Sequence, residues 1–389
     1  MLELMAGQPL VSVLTPVYNG EAYLEECIAS VLAQTYTNWE YVIVDNASTD
    51  GTSEIIRRHA EMDARIRVHR NPSLVPIIRN HNIAVRQASP DARYVKFIYA
   101  DDVLLPECLE RMVGVAERNP RVGLVSAYRL QGDWVDLDGL PYPSPVVPGR
   151  TIARWCLLGF PYVFGAPTSH MMRADLVRRS DPFYDESFLH ADEAACYDVL
   201  QDADLGFVHQ VLTVSRVRGD GITFSVARRL NTYLAGGLRI LQRYGPVFLS
   251  PDEYERVVKS RLDTYYRYLV QALVARAGRE VWDYHQRALA ELGYPLSGRR
   301  LATALVQHLR RVLLSPGSEL PKVLRLVRAR GTDDEGWLAT EFREQLEAAR
   351  HRGFVKWLER EDAARVLQLR TPAATSAPLA AVEPHRRAG

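Results

Sequence analysis

The sequence predicts an α/β protein, an open and mostly parallel sheet with helices on both faces, continued by an all-α C-terminal extension. Three observations carry this. Residues 1–125 alternate short strand-like runs with helix-periodic stretches, as in a sheet wound through crossover helices. The strand runs are almost continuously apolar, Tyr41-Val-Ile-Val-Asp45 being one, which suits strands buried on both faces. Beyond about residue 225 the strand pattern gives way to long helical periodicity.

The first strand is Val11 to Thr15, ended by Pro16. Leu24, Cys27, Ile28, Val31 and Leu32 recur at helical spacing and predict a helix over 21–33. The second strand ends at Asp45, and the hydroxyls and carboxylate of Ser48-Thr-Asp-Gly-Thr52 can cap the helix over 53–62. A third strand at 66–69, a helix at 77–88, a fourth strand at 94–98, a helix at 106–118 and a strand at 122–126 follow. From 131 to 165 the prolines at 141, 143, 145 and 148 and the glycines at 132, 139 and 149 predict loop or irregular β structure. Strand runs resume at 205–209 and 212–215. Helices are predicted over 226–244, 252–277, 279–292, 299–314, 318–330, 335–350 and 353–369. The Ala- and Pro-rich stretch from Thr371 is expected to be disordered. The chain therefore divides into 1–225, 226–370 and a tail, 371–389.

A net charge of +1 gives no global attraction to nucleic acid. Four cysteines without CxxC spacing form neither a disulfide framework nor a zinc motif. No secretory n-region opens the chain, and no run approaches the ~20 apolar residues of a membrane span. The expected location is cytoplasmic, with peripheral attachment at the inner face of the plasma membrane as an extension of that reading. In open α/β sheets ligands bind beyond the C-terminal strand ends. Three polar segments sit there: Thr15 to Asn19, Asp45 to Ser48 and Ala100 to Asp102.

Val11-Ser-Val-Leu-Thr-Pro-Val-Tyr-Asn-Gly20, Ser30 to Tyr36, Trp39 to Thr52, Arg79-Asn80 and Ala100-Asp101-Asp102 occur in one order. Together they resemble the family 2 glycosyltransferases over residues 9–220. The resemblance implies the Rossmann-like GT-A fold, an inverting transfer, a nucleotide-diphosphate sugar as donor (a UDP-sugar in the usual case) and a divalent Mg²⁺ or Mn²⁺. It implies that Asp45 accepts a hydrogen bond from the base, that Thr15, Pro16 and Tyr18 line the same pocket, and that Arg79 contacts base or phosphate. Asp102 would contact the metal and Asp101 the ribose or the metal; hard oxygen ligands suit these ions. The catalytic base would be Asp192, with Glu193 as the alternative, in the segment Phe183 to Glu193. Thr168, Ser169 and His170 would face sugar or acceptor.

The sequence departs from the family pattern at Tyr99, in place of the first Asp of Asp-x-Asp-Asp, at Ala194, and at Arg218, in place of a His. Arg218 can pair with phosphate but cannot ligate a metal. The acceptor would be a glycan or lipid-linked glycan of the cell surface. A degenerate scaffold and a nucleotidyltransferase are the competing readings; a dehydrogenase is disfavoured because no GxGxxG follows the first strand. Between Arg299 and Arg330 eight Lys or Arg and one Glu, Glu319, alternate with Leu and Val. Such a basic amphipathic stretch suits either a solvated helix face or an anionic membrane.

Overall fold

The computed structural model describes residues 7–216 and 223–328. The helices predicted at 335–350 and 353–369, the tail and Arg218 lie outside the described residues.

Four parallel strands form one half of the sheet: β1 (Val11–Val17), β2 (Trp39–Asp45), β3 (Ile66–Arg70) and β4 (Tyr94–Phe97). Their spatial order is β3-β2-β1-β4. The crossovers are α1 (Leu24–Leu32), α2 (Thr52–Met62) and α3 (Ile77–Gln87). Every residue of β1 is buried, as its unbroken apolar run requires. α1 buries Leu24, Cys27, Ile28 and Val31, the stripe its spacing predicts.

The other half is mixed. A short β5 (Val103–Leu104) precedes α4 (Cys108–Arg118) and the long β6 (Val122–Gln131), whose tip pairs with β7 (Trp134–Asp136). After β8 (Val146–Val147) comes α5 (Gly149–Leu158), a helix inside the span expected to be loop. The expectation failed because Pro148 and Gly159, which look like breakers, are its punctuation. Pro148 holds the N-cap position, and Gly159 closes the C-terminus at φ +110°. Gly149 is required for a different reason: a Cβ there would sit 1.9 Å from the Ala203 carbonyl oxygen.

β9 (His170–Arg173) inserts antiparallel between β4 and β6, and β10 (Asp204–Ser215) runs parallel to β6. β10 is one strand with register shifts between Val208 and Thr213, where the sequence suggested two. The helices α6 (Ala174–Val177) and α7 (Ala191–Leu200) lie between β9 and β10 in the chain.

A π-helical turn, Thr223–Arg228, leads into α8 (Thr232–Phe248), α9 (Pro251–Ala275), α10 (Arg279–Glu291), α11 (Gly298–Leu314) and α12 (Pro316–Arg328). A capping box between Ser250 and Glu253 starts α9. The extension is not a detached appendage. Ile240, Leu241, Tyr244 and Phe248 of α8 join the core on the α5–α7 face of the sheet. α9 to α11 pack around Tyr265, Tyr268, Leu269 and Leu289.

Candidate active site

The C-terminal ends of β1, β2 and β4 open onto a cleft of about 1840 Å³. Its near rim is Pro16 to Gly20 with Asn46, Tyr99, Ala100 and Asp101. The loops after β1 and β2 lock together. Asn19 N donates to Ser48 Oγ (3.0 Å), Thr49 N to Asn19 Oδ1 (2.9 Å) and Gly20 N to Thr52 Oγ1 (2.8 Å). Asn19 and Ala47 hold left-handed φ values of 49° and 57° in these loops, costly for residues with a side chain and often found at functional sites.

The expected nucleotide residues occupy different depths. Pro16 and Tyr18 line the cleft, Tyr18 being 48% exposed. Thr15 is fully buried, its hydroxyl donating to the Ile98 carbonyl (2.8 Å). Asp45, at the end of β2, is buried and fully engaged. Its Oδ1 accepts from Ser48 N (2.8 Å), its Oδ2 from Ser53 Oγ (2.6 Å), and Arg70 pairs with it at 3.1 Å. Arg79 is exposed on α3 and is not a lining residue.

Asp101 lines the cleft, and its carbonyl accepts from Arg216 Nη1 (2.8 Å). Asp102 lies buried beside it, facing the hydroxyls of Thr168 and Ser215. Burial pushes its pKa up to about 6, the hydroxyls pull down, and the charge of Asp101 adds to the rise. Thr168 and Ser169, in the 3-10 turn Pro167–Ser169, and His170, the first residue of β9, are buried and do not line the cleft. Thr168 Oγ1 instead accepts from Tyr99 N (3.0 Å), so it secures the turn that presents Asp101.

Asp192 and Glu193 occupy the first turn of α7 and both line the cleft. Burial raises the Asp192 pKa above the ordinary carboxylate value, while the backbone N–H groups of Glu193 and Asp192 itself act the other way. The Asp192 charge reaches Tyr99 and Tyr184, and both acidic charges reach Tyr162. The acidic pair shares the cleft with the rim and with a further wall. That wall comes from the end of α5 and from α8 and α9.

Several residues that support this turn escaped the sequence reading. Asn82 of α3 holds the backbone of Tyr184 from both sides, donating to its carbonyl (2.9 Å) and accepting from its N–H (2.8 Å). His190, just before α7, meets Thr232 Oγ1 of α8 at 2.9 Å, and Tyr244 OH donates to the Ala194 carbonyl (2.9 Å). His81 and Tyr99 form a further pair at 3.3 Å, also on the cleft wall. Lys96 is fully buried in β4 and donates to the carbonyls of Phe97 and Thr168. A lone cation in the apolar run Tyr94-Val-Lys-Phe-Ile98 was its legible signal. Asn82 and His190 carried none.

Residues 12–180 match the family described as glycosyl transferase family 2. Among curated relatives, TuaG of Bacillus subtilis (strain 168), named for teichuronic acid biosynthesis, is 39% identical over 108 residues. That match covers 27% of this chain and 41% of TuaG. EpsE of the same organism, named as a glycosyltransferase, is 28% identical over 276 residues, 66% of this chain and 96% of EpsE. Among solved structures, S. aureus TarS 1-349 in complex with UDP-GlcNAc superposes with a TM-score of 0.55 at 16% identity. It covers 87% of this chain and 92% of its own; a likeness at that identity shows a shared fold.

Proposed function

Given that residues 12–180 place the chain in the family 2 glycosyltransferases, we propose that it transfers one sugar, with inversion, from a UDP-sugar to a hydroxyl acceptor during assembly of a cell-surface polysaccharide or glycoconjugate. The observation that carries this is Asp192, a carboxylate in the first turn of α7 that shares one cleft with the strand-end rim. TarS, of the same fold, is known in complexes with UDP and UDP-GlcNAc, which supports the donor, and TuaG is named for teichuronic acid biosynthesis, which supports the destination.

The nucleotide would lie along Pro16, Tyr18 and Asn46, with the Asp45 cluster ordering the loop behind it. Asp192 takes the proton of the acceptor hydroxyl as that oxygen bonds to the anomeric carbon. The bond from that carbon to the diphosphate oxygen breaks on the opposite face, and UDP leaves. A carboxylate with a raised pKa is the better base for this step. Glu193, on the same turn, is the alternative.

Asp101 on the wall and Asp102 beneath it are adjacent oxygen donors, suited to a Mg²⁺ or Mn²⁺ that arrives bound to a diphosphate. Among the described residues no group of three or more His, Cys, Asp or Glu forms a self-sufficient metal cage. When bound, such an ion offsets charge on the departing diphosphate.

No described helix is long and apolar enough to cross a membrane. The reading includes peripheral attachment through α11, where Val306, Leu309 and Leu313 form one exposed stripe flanked by exposed Arg299 and Arg310.

The test is UDP release from a panel of UDP-sugars with Mn²⁺. Asp192→Asn should lose transfer by at least ~10²-fold while UDP binding stays within about twofold. Full activity in Asp192→Asn with a dead Glu193→Gln would move the base to Glu193. Metal-dependent UDP binding without turnover of any sugar would favour a scaffold.

A further inference from the structure

The wall contributed by the helical extension has a chemistry of its own. Glu253, Arg256, Val257, Ser260, Arg261 and Thr264 of α9 all line the cleft. Their spacing of three, four and seven residues puts them on one helical face. Leu158 at the end of α5 and Leu234 of α8 add an apolar surface to the cleft wall, backed by the buried Phe160 and Leu241. Leu158 is 39% exposed, so this apolar surface is open to a ligand.

The charge on that face is unbalanced. The Glu253 carboxylate is already engaged: it pairs with Arg154 and accepts from Ser250 N (3.0 Å). Arg256 is exposed and donates only through Nε, to the Asp252 carbonyl (3.2 Å). Arg261 is half-buried and has no hydrogen-bond or ion-pair partner among the described residues. A guanidinium partly withdrawn from water without a partner forgoes hydration and gains nothing in return. Its planar donors match phosphate and carboxylate oxygens. The wall shares the cleft with the acidic turn: Asp192, Glu193 and Tyr197 of α7 line it together with Arg261.

Resting on the transferase reading above, we propose that the α8–α9 wall is the acceptor subsite, selecting an acceptor that joins an apolar portion to an anionic oxygen group held by Arg256 and Arg261. Phosphate and carboxylate share this chemistry. The donor rim is built from the ends of β1, β2 and β4, on other elements than these cations.

The experiment uses the full chain with saturating UDP to block the donor rim. Hexyl phosphate, hexanoate and hexanol are titrated by calorimetry into the wild type and Arg256→Ala/Arg261→Ala. The wild type should bind at least one anion at least tenfold more tightly than the alcohol. The double variant should lose that margin, and Arg261→Lys should keep part of it. The tighter of the two anions names the group. Equal binding of anion and alcohol, unchanged anion binding in the double variant, or no binding of any of the three overturns the proposal. Tm should be the same in both proteins, and the wild type should release UDP from a UDP-sugar. Wild type that releases no UDP fails the transferase reading instead, independently of the titration.

Discussion

Replacing Lys96 with Met separates the electrostatics of the site's foundation from its packing. Lys96 is fully buried, and burial lowers its pKa from 10.5 to about 8, with Cys108 and Asp102 acting the other way. A shift of that size is a cost to the folded state of ~3.4 kcal/mol while the ammonium stays charged in both states. The sign follows from proton counts. Between the folded and unfolded pKa values the unfolded chain holds more protons, so stability rises with pH through that window and the cost is fully present below it. Integrated, the wild type should gain ~1.4 kcal/mol from pH 7 to pH 9 relative to Lys96→Met, and ~2.5 kcal/mol by pH 10.

The absolute difference at pH 7 is less telling. The variant escapes the burial cost but leaves the carbonyls of Phe97 and Thr168 without their donor, at about 1–3 kcal/mol each. The pH slope of the difference is free of that term, and Cys108, which Lys96 pulls down from its burial-raised value, still lies at about 11, above the range compared. Urea unfolding of both proteins at pH 7, 8 and 9 measures it. A difference that does not change with pH over this range refutes the account of Lys96 as a buried cation.

Two further outcomes follow from the same structure. Because burial raises the pKa of Asp192, the acidic limb of the kcat/KM profile should lie above the ordinary carboxylate value of ~4; a limb at or below it removes Asp192 from the role of base. If α11 rests on an anionic bilayer, the full chain should float with vesicles containing phosphatidylglycerol and not with neutral ones, less so at high salt. Leu309→Asp/Leu313→Asp should abolish flotation, and wild-type chain that stays at the bottom with both vesicle types ends that part of the reading.

The fold class was legible because periodicity is a local property. The apolar runs of β1 and β2 could be nothing but buried strands, and the stripe of α1 is the one that packs. Where reading failed, a local signal had two meanings. Pro148 and Gly159 look like breakers, yet at the two ends of ten residues they delimit α5. β9 is four residues long and pairs antiparallel inside an otherwise parallel neighbourhood. Its position depends on strands far away in the chain.

At the site, the residue types and their order along the chain sufficed to bring Pro16, Tyr18, Asp101, Asp192 and Glu193 to one cleft. Chain order could not say which carboxylates face solvent. Asp45 is turned onto Ser48, Ser53 and Arg70, and Asp102 lies buried beside Thr168, because burying a charge without partners costs more than the fold can spare. Nor could it show that α8 braces the base turn through His190 and Tyr244, or that α9 closes the cleft with Arg261. Those contacts join residues tens of positions apart, and what sets them is how side chains fill the space between packed elements, a three-dimensional constraint that leaves no periodic trace in the chain.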